Sequence, residues 1–330
     1  MKQKILWALV SLAISSVGCQ PSTQNQSLSG NLPAGSQLTI CSALNFSQVQ
    51  WSSSVPIAQQ ESLELAMNIS GSFEGSSGWV NLTNNFDGQG MSMGLLNQNL
   101  GQGSLQPMLI EMRDNYPATL QGLFSSDHLQ SLLTMLSQWQ SDSAQIRALS
   151  FAEKRLSPLD KSENDLETDS TAVTANSKSV QWAVSNLYSG SSFVPQWKAE
   201  LTALGNSAGF VSIQVEAATS IHKNALKDMT AFQVNEIRAY LMAFDIEVQN
   251  GGIYTKDFSD YATWVQANPG ASTTAKLTEM LTLRLRHVLS QYVADVQSRK
   301  MAIINGSGIV HGANRNLEQE FCFNRLSPYQ

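Results

Sequence analysis

Residues 73–94 read FEGSSGWVNLTNNFDGQGMSMG, from Phe73 to Gly94. Upstream, Ile57, Leu63, Leu65, Ala66 and Ile69 recur at helical spacing, so a broad apolar face runs along residues 56–72. Pro56 suits a first helical turn and Gly71 a last one. Glu74 is thus expected just past the end of a buried helix. Beyond it, Gly, Asn and Ser interrupt short apolar pieces through residue 94, the composition of a small irregular sheet or hairpin. Asp87 falls in the glycine-punctuated part, Asn85-Phe86-Asp87-Gly88-Gln89-Gly90. This buried helix and small β element, with the helical patterns of the rest of the chain, make the expected fold mainly α (α+β), with the β element beside a cleft.

The rest of the chain is helical in pattern. Helices are expected over residues 105–114 and 128–138, then in a block from 181 to 267, then as one long helix over 272–304. Residues 157–180 are polar and acidic and read as a surface loop. No internal repeat is visible. The organisation is two mainly helical lobes within residues 41–330, with the β element in the first.

The N-terminus is a separate unit. Lys2 and Lys4 precede an apolar run over residues 5–14, then small residues and Cys19. This is the pattern of a secretory signal peptide over residues 1–18; the apolar run is shorter than the roughly 20 residues that span a bilayer. Val17-Gly18-Cys19 resembles a lipobox, which implies a lipidated Cys19. Residues 19–40 then read as an uncharged Ser-, Gln- and Gly-rich linker. The expected location is the cell envelope, on the periplasmic face of the outer membrane, with the lipid as the membrane contact. In that oxidising setting Cys41 and Cys322 are expected to pair.

Composition excludes several functions. The chain is 42% hydrophobic and 14% charged, a globular balance. Its 20 basic and 26 acidic residues leave a net charge of −6, with no basic stretch to neutralise phosphates, so nucleic acid is not an expected partner. With 4 His and no paired-cysteine or HExxH pattern, neither a metal site nor a cofactor is expected.

Asp87-Gly88-Gln89-Gly90-Met91-Ser92-Met93-Gly94 resembles the Asp-Gly-Arg-Gly-Tyr-Thr-x-Gly signature of the family 46 glycoside hydrolases, the chitosanases of the lysozyme-like superfamily. Gln89, Met91 and Ser92 stand where that family has Arg, Tyr and Thr. Residues 62–74 look like its acid-bearing helix. Phe210-Val211-Ser212-Ile213-Gln214 and residues 239–252 look like helices of its second lobe, and residues 292–301 like a late helix with an Asp/Arg pair. The resemblance implies a two-lobed lysozyme-like fold. It also implies inverting cleavage of a β-1,4-linked amino-sugar glycan, peptidoglycan or chitosan-like, by a monomeric hydrolase. Glu74 then matches the general acid, Asp87 the base, and Ser92 the hydroxyl that positions the water. Two carboxyls on opposite sides of the bond are what such cleavage needs, and Phe73 and Trp79 are placed to give Glu74 the apolar wall that suits a proton donor.

Amides near this stretch suit the hydroxyl and N-acetyl groups of sugars. Gln89, Gly90, Asn97, Gln98, Gln214, Gln249 and Asn250 are the candidate substrate contacts, although Gln249-Asn250-Gly251-Gly252 also reads as an ordinary helix end. Three other readings compete. A non-catalytic envelope lipoprotein would use the same cleft to bind peptidoglycan. Gly90-x-Ser92-x-Gly94 matches a serine-esterase elbow, with Asp245 and His311 as partners for Ser92, but polar residues precede it where a buried strand is needed. Asn85-x-Asp87 opens like a calcium loop, yet Leu96 occupies the position that needs a bidentate Glu. On helix 292–301, Asp295 and Arg299 stand four apart and are expected to pair with each other.

Overall fold

Helix α1 spans Ile57–Glu74 and is buried around most of its circumference, with Leu63, Leu65, Ala66, Met67, Ile69 and Phe73 among its inward residues. Small residues let neighbours close in: a Cβ on Gly71 would lie 2.3 Å from Leu95 Cδ1. The helix runs two residues beyond its expected end, so Glu74 is its last residue. The computed structural model describes Cys41 and residues 44–147 and 170–329. The signal peptide, linker and Cys19 lie outside these residues, as does most of the acidic segment.

After α1 come strands β1 (Leu82–Thr83), β2 (Ser92–Met93) and β3 (Gln98–Asn99). They form an antiparallel sheet in which Leu82 opposes Met93 and Ser92 opposes Asn99. Helices α2 (Leu105–Asn115), α3 (Pro117–Leu123), α4 (Ser126–Arg147) and α5 (Ser170–Asn186) follow, then a hairpin of β4 (Tyr188–Ser189) and β5 (Ser192–Phe193). Next are α6 (Pro195–Asn206), α7 (Ala208–Phe232), α8 (Ile237–Asn250), α9 (Thr255–Ala267), α10 (Thr273–Leu285) and α11 (Val293–Asn305). A second hairpin, β6 (Ser307–Val310) and β7 (Ala313–Asn316), and the short helix α12 (Leu317–Glu320) complete the order.

Two hydrophobic cores organise these elements. One gathers α1, α8, α10 and α11; the other gathers α2, α4, α5 and α6. Helix α7 serves both, sending Val211, Val215 and Ala218 to the first and Phe210 and Ile213 to the second. The glycine-punctuated stretch crosses between them, with Met91 and Met93 in the second core and Leu95 and Leu96 in the first. The expected class, mainly α with small antiparallel sheets, is what the chain forms.

Several boundaries differ from the sequence expectation. Residues 170–180 belong to α5 rather than to a surface loop. The single long helix over 272–304 is two, α10 and α11, separated by residues 286–292. Its Asn305-Gly306 end turns directly into β6, with Gly306 in the left-handed region. Cys41 and Cys322 are disulfide-bonded, with Cα atoms 5.1 Å apart across a sequence separation of 281. Closing a loop of that length contributes on the order of 3–5 kcal/mol.

A buried histidine and a half-buried glutamate give stability opposite responses to pH. His222, 1% exposed, meets the Tyr240 hydroxyl through Nδ1 at 2.7 Å and Gln59 Oε1 through Nε2 at 3.0 Å. Burial, with Lys223 nearby, lowers its pKa to about 4. The unfolded chain therefore takes up a proton near pH 6.5 that the folded chain refuses until about 4, and stability falls across that window by roughly 3 kcal/mol. On α1, burial and Glu61 raise Glu64 to about 7. The folded chain holds that proton where the unfolded chain has lost it, so stability rises as pH falls from 7 to 4.5. Urea titrations are expected to show His222→Gln gaining stability relative to wild type on going from pH 7 to 4.5. A shift in that difference no larger than experimental error would show that His222 does not titrate as described.

Candidate active site

Glu74 ends α1 with its side chain 16% exposed, and its Oε1 accepts a hydrogen bond from Arg299 Nη1 at 2.7 Å. The other arm of that guanidinium, Nη2, donates to Asp245 Oδ1 at 2.6 Å. Asp245 Oδ2 in turn lies 2.9 Å from Lys300 Nζ. Lys300 also donates to Gln249 Oε1, and Gln249 Nε2 donates to Asp295 Oδ2 at 2.8 Å. Asp295 Oδ1 meets His311 Nε2 at 2.7 Å near the surface. Asp245, Arg299 and Lys300 are all essentially without solvent contact. Ions so deeply buried persist only when paired, and here two carboxylates alternate with two cations.

Burial would raise the Asp245 carboxyl, but Arg299 and Lys300 overcome it and hold the group well below the usual carboxylate range. Burial lowers the Lys300 ammonium to about 8, against the pull of Asp245. Arg299 is pushed the other way, since Asp245 and Glu74 outweigh its desolvation.

The surroundings of Glu74 correct two expectations. Phe73 does not wall the carboxyl with bare hydrocarbon: its ring carries the guanidiniums of Arg299 and Arg315 at 5.0 and 5.3 Å from the centroid. Trp79 packs edge-on against Phe46, with centroids 5.2 Å apart. Asp295 and Arg299 do not pair with each other; the buried face of α11 turns Arg299 toward Glu74 and Asp245, while Asp295 sits at the rim with Gln249 and His311. Arg315, on β7, grips the same helix end by donating to Ser72 Oγ at 3.0 Å. Asn81 Nδ2 donates to the Glu74 carbonyl at 3.3 Å.

Asp87 is set differently. It closes a short 3-10 turn over Asn85–Asp87, is exposed to water, and accepts from Gln89 N at 3.1 Å through Oδ1. Asn85 Oδ1 accepts from Gly90 N at 2.6 Å and closes the loop on itself. Gly88 and Gly90 have φ of 79° and 80°, which side-chain-bearing residues rarely adopt. Phe86, beside Asp87, is 78% exposed. The helical side supports the loop closely: a Cβ on Gly90 would lie 3.0 Å from Val180 Cα, the Tyr188 hydroxyl donates to the Gly90 carbonyl at 2.6 Å, and Asn84 Nδ2 donates to the Ser191 carbonyl at 3.0 Å.

The remaining candidates divide by what their polar groups already do. Gln214 is 4% exposed; its Oε1 accepts from Leu95 N at 2.8 Å and its Nε2 donates to the Trp79 carbonyl at 3.3 Å, so it clamps the stretch instead of facing a ligand. Gln249 is engaged by Lys300 and Asp295, and Asn250 is buried where Gly251 caps α8 in the left-handed region. Gln89 packs on Gly101, whose N–H donates to the Gln89 carbonyl at 3.0 Å. Asn97, itself at φ 53°, accepts from Asn81 and Thr83, and Gln98 lies in β3. Ser92 is buried in β2 at 4% exposure. The esterase arrangement is absent among the described residues, because Asp245 is committed to Arg299 and Lys300 and His311 to Asp295.

Sequence reasoning missed that Arg299, Asp245 and Lys300 form one unit with Glu74. A signal existed: Asp245 interrupts the apolar run of α8, and Arg299-Lys300 interrupts that of α11. Charges inside apolar helical faces require partners, and these three, one carboxylate against two cations, are balanced by Glu74.

No family model and no curated protein matches the chain. A solved structure described as "Chitosanase complex structure" aligns with it at 15% identity, over 78% of this chain and 96% of that one, with a TM-score of 0.42.

Proposed function

We propose that the chain is a glycoside hydrolase that cleaves a β-1,4-linked amino-sugar glycan by single displacement. The observation that carries this reading is the contrast between its two carboxyls. Glu74 is held at the end of a buried helix by a fixed guanidinium, while Asp87 faces water on a separate glycine loop. An inverting mechanism needs one carboxyl to protonate the leaving oxygen and another to activate a water from the opposite side. In this scheme Glu74 donates the proton, Asp87 takes one from the attacking water, and the Ser92 hydroxyl helps to orient that water. Gln89, Asn97 and Gln98 line the same stretch and would contact the sugar. No step requires a cofactor.

One observation favours a second reading. The Glu74 carboxyl already has a strong ionic partner in Arg299, as a purely structural residue would, and a protein so built could bind peptidoglycan without cutting it. Incubating the purified protein with peptidoglycan and with chitosan, then sizing the products, separates the two. New reducing ends of inverted configuration support the hydrolase; binding to either polymer without cleavage supports the module.

The proposed setting is the envelope, with Cys19 lipidated and the folded body tethered by residues 20–40. Cys19→Ser is expected to move the protein from the membrane to the soluble envelope fraction, and unchanged membrane association would remove the anchor from the account.

A further inference from the structure

We propose that Tyr188 is a positioning residue for Asp87, its hydroxyl holding the loop at the place from which that carboxylate acts. The inference rests on the hydrolase reading and adds a part to it. Asp87 sits on a turn whose internal hydrogen bonds are all short-range: Gln89 N to its own side chain, Gly90 N to Asn85 Oδ1, Gly88 N to the Asn85 carbonyl and Met91 N to the Gln89 carbonyl. Being local, they shape the loop without fixing where it lies. Its location is set from outside: Gly101 N and Leu100 N donate to the Gln89 and Met91 carbonyls at its far end, and the β4–β5 hairpin holds both flanks of the Asp87 turn.

Two hydrogen bonds make that attachment, one on each side of the turn. The Tyr188 hydroxyl donates to the Gly90 carbonyl at 2.6 Å, after Asp87, and the Asn84 side-chain amide reaches the Ser191 carbonyl at 3.0 Å, before it. The hairpin is short and stiff, with Tyr188 opposite Phe193 and their rings 4.7 Å apart, and it continues directly from α5. Helix α5 itself touches the loop at Val180, against Gly90. The Tyr188 hydroxyl is also close enough to Asp87 for the carboxylate, after burial, to raise its pKa. The phenol therefore stays a donor at any working pH, and the anchor does not switch off. Glu74 ends a helix of the opposite core, so the hairpin contacts help to set the placement of one carboxyl relative to the other.

Tyr188→Phe keeps the ring against Phe193 and removes only the hydroxyl. Hydrogen–deuterium exchange and kinetics on the same protein then test the idea. Exchange at residues 85–91 is expected to quicken while residues 57–74 are unchanged, and kcat to fall roughly 10- to 100-fold, the cost of a small misplacement, with KM and thermal midpoint near wild type. Asn84→Ala should act in the same direction. Unchanged exchange overturns the anchor whatever the activity. Faster exchange with unaltered kcat, or a kcat loss that merely follows a fall in thermal midpoint, overturns the positioning role. If wild type cleaves no amino-sugar polymer, the hydrolase reading fails and the catalytic half of this proposal with it, whereas the exchange result still decides the anchor.

Discussion

Replacing Glu74 by Gln is expected to abolish the release of reducing ends from amino-sugar polymer while leaving the protein folded and able to bind. The amide occupies the same volume and still offers an oxygen to Arg299 Nη1, so the 2.7 Å contact can persist. What disappears is the transferable proton. General acid catalysis contributes about 10²–10⁴-fold, and an unprotonated leaving alkoxide is poor enough that the loss should fall at the upper end of that range. Stability should fall much less than on loss of Asp245, because Glu74 is the most water-exposed member of the group and Arg299 keeps its fully buried partner, Asp245. Asp87→Asn should lose turnover similarly, and Ser92→Ala less. The measurement is kcat together with a binding isotherm on the same preparation. A Glu74→Gln protein that cleaves at near wild-type rate would eliminate this mechanism.

Asp245→Asn is expected to be the most destabilising single substitution of a polar group near the site. The aspartate is fully buried between Arg299 and Lys300 and offsets both. Without it, two cations remain in a water-excluded interior with only Glu74 as counter-charge. Removing one member of such a group costs about 3–5 kcal/mol, which for a domain of this size lowers the thermal midpoint by roughly 10 °C. The effect should depend on pH in a defined sense. Lys300 already has its pKa lowered to about 8 by burial, and loss of Asp245 removes the pull that keeps it charged. In the variant the Lys300 pKa therefore falls below about 8, and between that lower value and about 8 its folded chain sheds a proton that folded wild type keeps. The deficit relative to wild type is thus largest at low pH, shrinks as the pH rises towards about 8, and levels off above it, where both proteins hold the neutral amine. Thermal melts of both proteins at pH 6.5 and 9 check it; a deficit independent of pH would show that Lys300 is not the cation left stranded.

Much of the fold was legible because it follows local rules. Helix α1 shows itself by apolar spacing, the three-stranded sheet by its Gly/Asn/Ser punctuation, and the disulfide by two cysteines in a chain whose start reads as a secretory signal. The break between α10 and α11 was not legible, since residues 286–292 carry neither Pro nor Gly and only tertiary packing turns the chain there. Residues 170–180 are polar enough to pass for a loop, and become helical because α5 packs on α4 in the second core. At the site, Glu74 and Asp87 stood out from their own neighbourhood. Their supports did not, because Arg299 and Tyr188 lie far along the sequence and nothing local says what a buried arginine or a hairpin tyrosine will meet.

The contact between Glu74 and Arg299 spans 225 positions, and this has a bearing on when the centre exists. Long-range contacts wait on loop closure, and folds rich in them form slowly. Helix α8, which supplies Asp245, also pairs at its start with the far end of the chain: Ile237 N donates to the Ser327 carbonyl and Arg238 N to that of Arg325. A nascent chain that has emerged only through α8 can coil its helices but has no α11 to receive Glu74 and no tail to seat α8. The Glu74–Arg299–Asp245 group thus assembles late in folding, and on the proposed function recovery of activity after dilution from denaturant is expected to lag behind recovery of helix.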